Sequence, residues 1–208
     1  MKTRFLAAGA VAALFAFSSL APQAMAFQVS SKDPKAVKAG TYKVEPYHTQ
    51  IGFSISHFGF TDFSGFFSGA SGSLVLDPAK VKISKLDVTV PVQSVLTTVS
   101  ILDTELKGPK WFDGAKYPEA TFVSTKITKT GSSAATIVGD LTLHGITKSV
   151  TLKAHLIGSG TNPLDKSFTV GFDATGTIKR SDFGITMYLP LLGDDVALKI
   201  DAAFVLQP

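Results

Sequence analysis

Four histidines are the residues of this chain best suited to bind a metal or to transfer a proton: His48, His57, His144 and His155. Imidazoles that share a metal usually stand in patterns such as H-x-H or H-E-x-x-H, which bring two rings together. None of the four stands in such a pattern. The spacing therefore favours histidines that serve turns or the core, and the sequence predicts no metal site.

The other groups with catalytic potential do not form a set. A serine nucleophile on a strand-to-helix elbow needs G-x-S-x-G, which the chain lacks. Residues 182–184 read Asp-Phe-Gly, but neither a phosphate-binding loop nor the catalytic loop of a kinase accompanies them. Asp194 and Asp195 are adjacent, so on a strand they would point to opposite faces, and turn formation is the better interpretation. The sequence predicts no catalytic residue.

Apolar surface is more prominent in this chain than polar chemistry. Six phenylalanines lie between residues 51 and 72, among glycine, serine and histidine: Phe53, Phe58, Phe60, Phe63, Phe66 and Phe67. One amphipathic strand needs fewer. Because the stretch has no helical period and glycines interrupt it, we expect two strands joined by a corner. The surplus indicates either an apolar cavity or a densely packed core, and the residues alone leave both open.

The first 26 residues have the organisation of a secretory signal peptide. Lys2 and Arg4 precede an apolar run over residues 5–20, and Ala24-Met25-Ala26 matches an A-x-A cleavage site. A membrane-spanning interpretation is weaker, because the run is short and Pro22 follows it. We expect cleavage after Ala26 and a product in the periplasm or outside the cell.

The 208 residues less the signal leave 182, which suits one domain with a full core. We divide them into an N-terminal extension, residues 27–40, and a single domain, residues 41–208. Two of the 20 basic residues and none of the 16 acidic ones lie in the signal, so the net charge falls from +4 to +2. That charge is too small to indicate nucleic-acid binding. The chain has no cysteine, which excludes disulfides and thiolate metal sites.

Residues 41–208 show the alternation of an all-β protein, with short apolar segments of period two between clusters of Gly, Asp, Pro, Lys and Ser. The predicted strands are 41–47, 50–57, 66–76, 82–92, 119–129, 135–143, 148–157, 167–179 and 196–206. Short sequential connections favour antiparallel pairing, and closure into a single extended eight-stranded β-barrel would remove exposed edges. A β-sandwich is the structural alternative.

One region follows a helical period instead. Apolar residues between 92 and 106 recur every three or four positions, and Gly108-Pro109 is a typical helix end. The β-branched run before Ser100 disfavours an earlier start, so we predict a helix over residues 100–107, with Ser100 and Asp103 as a capping pair. This helix would either close one end of the barrel or cover a sheet edge.

Several short motifs occur in a specific order along residues 41–206. They include Tyr42-x-Val44-x-Pro46-x-His48, Ile51-Gly52-Phe53-x-Ile55-x-His57-x-Gly59, Gly65-x-Phe67, Phe112-Asp113, Tyr117-Pro118, Gly139-Asp140-Leu141-Thr142-Leu143-His144-Gly145, Arg180-Ser181-Asp182-Phe183-Gly184 and Gly193-Asp194-Asp195-Val196. Each is weak alone. Together they resemble the YceI-like family of bacterial lipid-binding proteins, also described as polyisoprenoid-binding proteins with a lipocalin-like barrel.

The resemblance implies an antiparallel barrel around a long apolar channel. That channel would hold a polyisoprenoid, such as the tail of an isoprenoid quinone, or another long-chain amphiphilic lipid. It implies a periplasmic binding or carrier protein, not an enzyme, with no cofactor apart from the bound lipid. One alternative is a lipid-modifying enzyme. The other is an accessory protein that contacts a membrane electron-transfer partner, or forms a homodimer, through the apolar segment 187–192. The segment 92–106 is atypical of the family, with residues 92–102 more apolar than is common in relatives, which bears on ligand choice.

The expected ligand contacts are mainly aromatic and aliphatic. Phe53 and Phe67 should lie against the ligand chain, and His57, Tyr188 or Arg180 should orient a head group at the mouth. The full set of predicted ligand-binding residues is Phe53, Ile55, His57, Phe60, Phe67, Leu74, Trp111, Phe112, Phe122, Leu143, Phe172, Phe183 and Tyr188.

Overall fold

The computed structural model describes residues 29–208. The predicted signal peptide lies outside the described residues, so cleavage after Ala26 stays a prediction. The described strands are β1 (Gly40–Val44), β2 (Gln50–His57), β3 (Thr61–Phe67), β4 (Ser71–Leu76), β5 (Lys85–Pro91), β6 (Glu119–Lys129), β7 (Ala134–Leu143), β8 (Ile146–Thr161), β9 (Phe168–Lys179) and β10 (Leu192–Leu206). The α-helix α1 spans Ser100–Lys107. In the described part of the chain, no helix is long and apolar enough to cross a membrane.

These strands form one closed antiparallel barrel with eight strand positions, or staves, around its circumference. β1 and β2 run in line along one edge of β10, with Val44 opposite Phe204 and Ile51 opposite Ile200. β3 and β4 also run in line with each other, in the opposite direction, with β3 paired to β2 and β4 paired to β1. Each interrupted pair is therefore one stave, and β5 to β10 supply the other six in sequence order. The predicted barrel is confirmed, and the β-sandwich alternative is wrong.

The phenylalanine-rich stretch is a hairpin. β2 ends at His57, and the chain turns through Phe58 and Gly59, whose φ angles are 55° and 71°. β3 then begins at Thr61, five residues before the predicted strand. Gly65 is one of the glycines expected to interrupt the stretch, but it lies inside β3 opposite Phe53, where a Cβ would collide with the Phe53 ring. The glycine thus makes room for an aromatic side chain without ending the strand.

The predicted helix is confirmed as α1, but its predicted capping pair is wrong. Val99 is the N-cap residue and makes no capping hydrogen bond through its side chain. Asp103 accepts hydrogen bonds from the backbone N–H and the hydroxyl of Thr97, both at 2.6 Å. The carboxylate therefore fixes the approach to the helix instead of pairing with Ser100.

The connections between strands fall at two ends of the barrel, because successive staves alternate in direction. The helix end carries residues 58–60, 92–118, 144–145 and 180–191. The N-terminal end carries residues 29–39, 77–84, 130–133 and 162–167. One buried cluster, around Tyr42, Val170 and Phe204, lies toward the N-terminal end. A second, around Trp111 and Phe183, lies toward the helix end. The lumen extends between them.

Candidate functional site

The barrel encloses two adjoining apolar cavities. The larger cavity, of about 630 Å³, lies toward the helix end. The smaller cavity, of about 260 Å³, lies toward the N-terminal end. Four side chains line both, namely Ile51, Val90, Leu141 and Leu198. The two cavities are therefore compartments of one lumen, and these four residues form the junction between them.

The period-two pattern of the strands produces this lumen. On β10, Leu198 and Ile200 line it, whereas Lys199 and Asp201 are exposed on the outer face. Alternate residues of a strand point to opposite faces, so apolar residues at every second position give an apolar interior and a polar exterior. The cavity walls follow directly from that alternation.

Aromatic rings build much of the larger cavity. The rings of Phe53 and Phe67 lie 5.6 Å apart, and those of Phe67 and Phe112 lie 5.3 Å apart in an edge-on arrangement. From α1, Leu102 and Leu106 contribute to the wall. Because α1 supplies cavity wall, the structure favours the interpretation in which the helix closes one end of the barrel.

The smaller cavity extends to the N-terminal end. Leu74, Phe122 and Phe172 line its walls, and the Phe172 ring packs against Phe204 with centroids 6.2 Å apart. Beyond them, Lys129 and exposed Ser132 of the β6–β7 connection line its outer part. This compartment therefore reaches solvent beside polar groups.

Most of the predicted ligand-binding residues line the lumen. Those at the larger cavity are Phe53, Ile55, His57, Phe67, Trp111, Phe112, Leu143 and Tyr188. Those at the smaller cavity are Leu74, Phe122 and Phe172. Ligand contact by these residues stays a prediction.

Two predicted residues line neither cavity. Phe60 is 86% exposed in the hairpin turn after β2. Phe183 is 1% exposed and packs in the cluster that contains Trp111 and Leu143. Because Phe60 in the turn and Phe183 in the core are both phenylalanines, the sequence pattern does not distinguish them from the phenylalanines of the cavity wall. We leave both out of the site.

Several wall residues were not predicted, including the junction residues Ile51, Val90, Leu141 and Leu198 and the helix residues Leu102 and Leu106. All were recognisable as inward-facing apolar positions. Alternation alone does not tell a side chain that packs against a neighbour from one that borders empty space. Whether an inward-facing side chain packs against a neighbour or borders empty space depends on the width of the barrel.

Arg180 is committed to the backbone of the loop between β9 and β10. Its Nε donates to the Gly193 carbonyl at 2.8 Å, and its Nη1 donates to the carbonyls of Ile185 and Met187 at 3.0 and 2.8 Å. Its Nη2 donates to the Leu192 carbonyl at 3.2 Å. The side chain is only 4% exposed.

This geometry does not fit the prediction that Arg180 presents its charge to a ligand head group. Burial lowers the pKa of Arg180 from its ordinary value, and the Asp194 carboxylate opposes that effect. The guanidinium also lies over the Trp111 ring, 5.7 Å from its centroid. Arg180 therefore positions the loop that forms one wall of the larger cavity.

Polar groups are sparse at the mouth of the larger cavity. His57 lies edge-on to the Phe58 ring, 4.4 Å between centroids, and both side chains are exposed. Tyr188 is 49% exposed on the opposite loop. Glu105 accepts a hydrogen bond from the Trp111 indole at 3.1 Å. His57, Tyr188 and the hydroxyl of the exposed Thr61 therefore remain available for a head group.

The four histidines lie apart. His48 is 2.8 Å from Glu45 in the turn after β1, and Nδ1 of His144 is 3.0 Å from the Phe183 carbonyl. His155 is exposed on the outer face of β8, as its alternation predicts. Within residues 29–208, no three histidine, aspartate or glutamate side chains are close enough to hold a metal ion.

Asp194 should make the loop sensitive to acid. Burial acts to raise the pKa of this carboxyl, but hydrogen bonds from the N–H and hydroxyl of Ser181, with Lys179 and Arg180 nearby, outweigh it and lower the pKa. The unfolded chain then binds the proton more readily, so stability falls as the pH drops below about 4. Thermal unfolding from pH 6 to pH 3, as approximate limits, should show a shallower decline for Asp194→Asn than for wild type. Identical slopes would contradict this assignment.

Comparison with known proteins gives a consistent result. The model of the YceI-like domain matches residues 42–204. A protein of Pseudomonas savastanoi pv. phaseolicola, described as a UPF0312 protein, is 39% identical over 141 residues, which cover 68% of this chain and 73% of that protein.

Solved structures agree. The Campylobacter jejuni YCEI protein is 31% identical, with a TM-score of 0.64 over 74% of this chain and 91% of that one. A polyisoprenoid binding domain from Saccharophagus degradans is 13% identical and shares the fold, with a TM-score of 0.60 over 82% of this chain and all of that one, 100%. The ordered motifs, the closed barrel and the match over residues 42–204 lead to one conclusion: the chain belongs to the YceI-like domain family.

Proposed function

We propose that this protein binds and carries a polyisoprenoid, such as an isoprenoid quinone, or another long-chain amphiphilic lipid in the barrel lumen. The observation that carries the proposal is the pair of apolar compartments joined at Ile51, Val90, Leu141 and Leu198. A long, narrow apolar space suits a chain better than a compact ligand. The related fold of a polyisoprenoid binding domain supports the same class of ligand.

The energetics favour a chain that fills much of the lumen. Each buried methylene contributes about 0.8 kcal/mol, whereas association costs at least about 4 kcal/mol. A chain of about ten methylenes therefore gains about 8 kcal/mol before those costs, which leaves little margin. Tight binding then requires a longer chain that enters both compartments, and selectivity should depend on length and shape.

We propose the periplasm as the location. The charged start, apolar run and A-x-A site of residues 1–26 support export, with cleavage after Ala26. An export route fits a carrier that moves a poorly soluble lipid through an aqueous compartment.

Binding is a better proposal than catalysis. Of the polar groups around the larger cavity, Arg180 donates to four backbone carbonyls and Glu105 accepts from Trp111. His57 is exposed and lies edge-on to Phe58. In the described part of the chain, these groups form no nucleophile–base pair of the kind that acyl transfer or hydrolysis needs.

Contact with a partner protein is a second candidate role. Apolar side chains are exposed at the helix end, around the mouth of the larger cavity: Phe58, Phe60, Ile101, Tyr188 and Leu191. Exposed apolar surface of this kind often marks an interaction site. A homodimer or a membrane electron-transfer partner fits this surface, and such a role is compatible with lipid carriage.

The direct test is organic extraction of the purified mature protein followed by mass spectrometry, which should recover a long-chain lipid in stoichiometric amount. Phe67→Asp places a charge at the cavity wall and should reduce retained lipid about tenfold or more. Phe60→Asp is the matched control, because Phe60 lies in the same hairpin but outside both cavities. An empty protein that also refuses added isoprenoid quinone and long-chain fatty acid would refute the proposal, as would equal loss in both variants.

A further inference from the structure

The two ends of the barrel differ in charge. The connections at the N-terminal end carry six lysines, Lys32, Lys35, Lys38, Lys80, Lys82 and Lys166, against three aspartates, Asp33, Asp77 and Asp165. The connections at the helix end carry four basic residues, Lys107, Lys110, Lys116 and Arg180, against four acidic ones, Asp103, Glu105, Asp113 and Asp182. The net side-chain charge of the connections is therefore +3 at one end and zero at the other.

Local hydrogen bonds occupy the three aspartates of the N-terminal end. Asp33 accepts from the Lys35 backbone N–H at 2.9 Å, and Asp77 accepts from the Lys80 N–H at 3.0 Å. Asp165 accepts from the N–H and hydroxyl of the nearby Ser167. Their carboxylates are thus used to hold turns.

The lysine side chains of this end are exposed. Among residues 29–208, the recorded ion pairs involve none of these six lysines. Their charges face solvent without a paired carboxylate.

These segments form a single face. Pro34, Pro78 and Ser132 come from three different connecting segments and line the same smaller cavity. The N-terminal segment is tied to the β8–β9 hairpin by two backbone hydrogen bonds between Ser31 and Ser159, each 2.8 Å long. It is tied again by Lys38, whose Nζ lies 4.4 Å from the centroid of the Phe168 ring. Lys35, Lys38, Lys80 and Lys82 therefore lie next in the chain to residues that line the outer part of the smaller cavity, or two residues away from them.

Three large apolar side chains are exposed on the same end, and Leu164 and Ile83 are more exposed than the third, Val29. Leu164, in the β8–β9 connection, is 90% exposed, and Ile83, in the β4–β5 connection, is 59% exposed. Lysines adjoin both in sequence, Lys166 two residues after Leu164 and Lys82 directly before Ile83. Apolar side chains among lysines are typical of surfaces that enter the interface of an anionic membrane.

We propose that the N-terminal end docks on the surface of a bilayer that contains anionic lipids. The lysines supply attraction to the phosphate groups, and Leu164 and Ile83 enter the boundary between head groups and acyl chains. Docking in this orientation turns the outer part of the smaller cavity toward the bilayer, while the apolar mouth of the larger cavity remains free for a partner. Docking is a property separate from lipid carriage, because it concerns which end of the barrel contacts the bilayer and not which ligand the lumen binds.

The test is co-flotation of the mature protein with vesicles of phosphatidylethanolamine and phosphatidylglycerol, compared with vesicles of phosphatidylcholine alone. Each lysine near an anionic surface contributes about fivefold in affinity, so the double variant Lys80→Glu, Lys82→Glu should bind the anionic vesicles at least about twentyfold more weakly. Lys110→Glu, Lys116→Glu makes the same charge change at the helix end, on two exposed lysines, and should bind like wild type. Leu164→Ser should weaken binding without changing its salt dependence.

Raising the salt to about 1 M shortens the screening length to about 3 Å and should release the wild-type protein from the vesicles. Equal loss of binding in both double variants would overturn the proposal, and so would failure of wild type to float with anionic vesicles. Equal flotation with phosphatidylcholine would show that the lysines do not drive docking and would also overturn the proposal. Salt-sensitive binding to soluble heparin without vesicle binding would indicate an anionic macromolecule and also overturn it. Lipid extraction from the lumen is measured separately, so failure of docking and failure of lipid carriage are distinguishable.

Discussion

Replacement of Arg180 by methionine is expected to lower the free energy of unfolding by about 4 kcal/mol. Methionine preserves much of the aliphatic bulk but donates no hydrogen bond. The change leaves the carbonyls of Ile185, Met187, Leu192 and Gly193 without the donor that they share in the native protein. A buried polar group that loses its partner is penalised by about 1–3 kcal/mol, although relaxation and water entry reduce the sum. Denaturant unfolding followed by tryptophan fluorescence measures the change, because Trp111 lies under the guanidinium.

Arg180→Lys is the informative control. Lysine retains the positive charge but lacks the planar fork that reaches several carbonyls at once, so it should recover only part of the lost stability. The same loop contributes Ile185 and Tyr188 to the larger cavity, and lipid retention should therefore also fall, more in Arg180→Met than in Arg180→Lys. Full recovery by lysine would show that charge alone matters and would contradict the positioning role.

The fold was predictable because its main determinants are local. Alternation along residues 196–206 and the short connections indicated antiparallel staves, and the three- and four-residue spacings before Gly108 indicated α1. The division of two staves was harder to predict. The break between β3 and β4 falls at residues 68–70 and includes Gly69, whereas Gly65 lies inside β3 under the Phe53 ring. The sequence alone does not distinguish a glycine that interrupts a strand from a glycine that makes room for an aromatic ring.

The site was predictable only as a class of surface. The apolar and aromatic composition indicated a cavity or a core, and the structure contains both. Phe183 belongs to the core and Phe53 to the cavity wall, although both are phenylalanines within family motifs. The role of Arg180 also depends on tertiary geometry, since its four acceptors lie 5 to 13 residues further along the chain. Sequence pattern carries no information about such convergence.

The difference in charge between the two ends of the barrel was the feature hardest to predict from the sequence. A net charge of +2 for the predicted mature chain is unremarkable, yet the barrel topology sorts the connections so that lysines gather at the N-terminal end. Alternation of strand direction does this sorting, because every second connection falls at the same end. The surface follows from combining topology with composition, and neither suffices by itself.

The junction of the two cavities offers the sharpest test of a chain-like ligand. Val90 lines both compartments, and Val90→Phe would put a ring into the narrow part of the lumen. Enlarging a packed side chain costs about 1–3 kcal/mol, and because Val90 borders both cavities we expect a loss of stability at the lower end of that range. A long isoprenoid quinone must pass this point to fill both compartments, and its affinity should fall about tenfold or more. A short prenyl alcohol such as geraniol fits within the larger cavity alone, and its affinity should change by less than about twofold.

Val123→Phe provides the matched control. Val123 lies on the adjacent strand β6, opposite Asp87 of β5, and is 45% exposed and absent from both cavity walls. The same enlargement at that position should leave the affinity for both ligands unchanged. Titration of lipid-free protein with each ligand, followed by tryptophan fluorescence, gives the comparison. Equal weakening of long and short ligands by Val90→Phe would mean that the junction is not a passage for the chain, because a ring placed there should discriminate only against ligands that need both compartments.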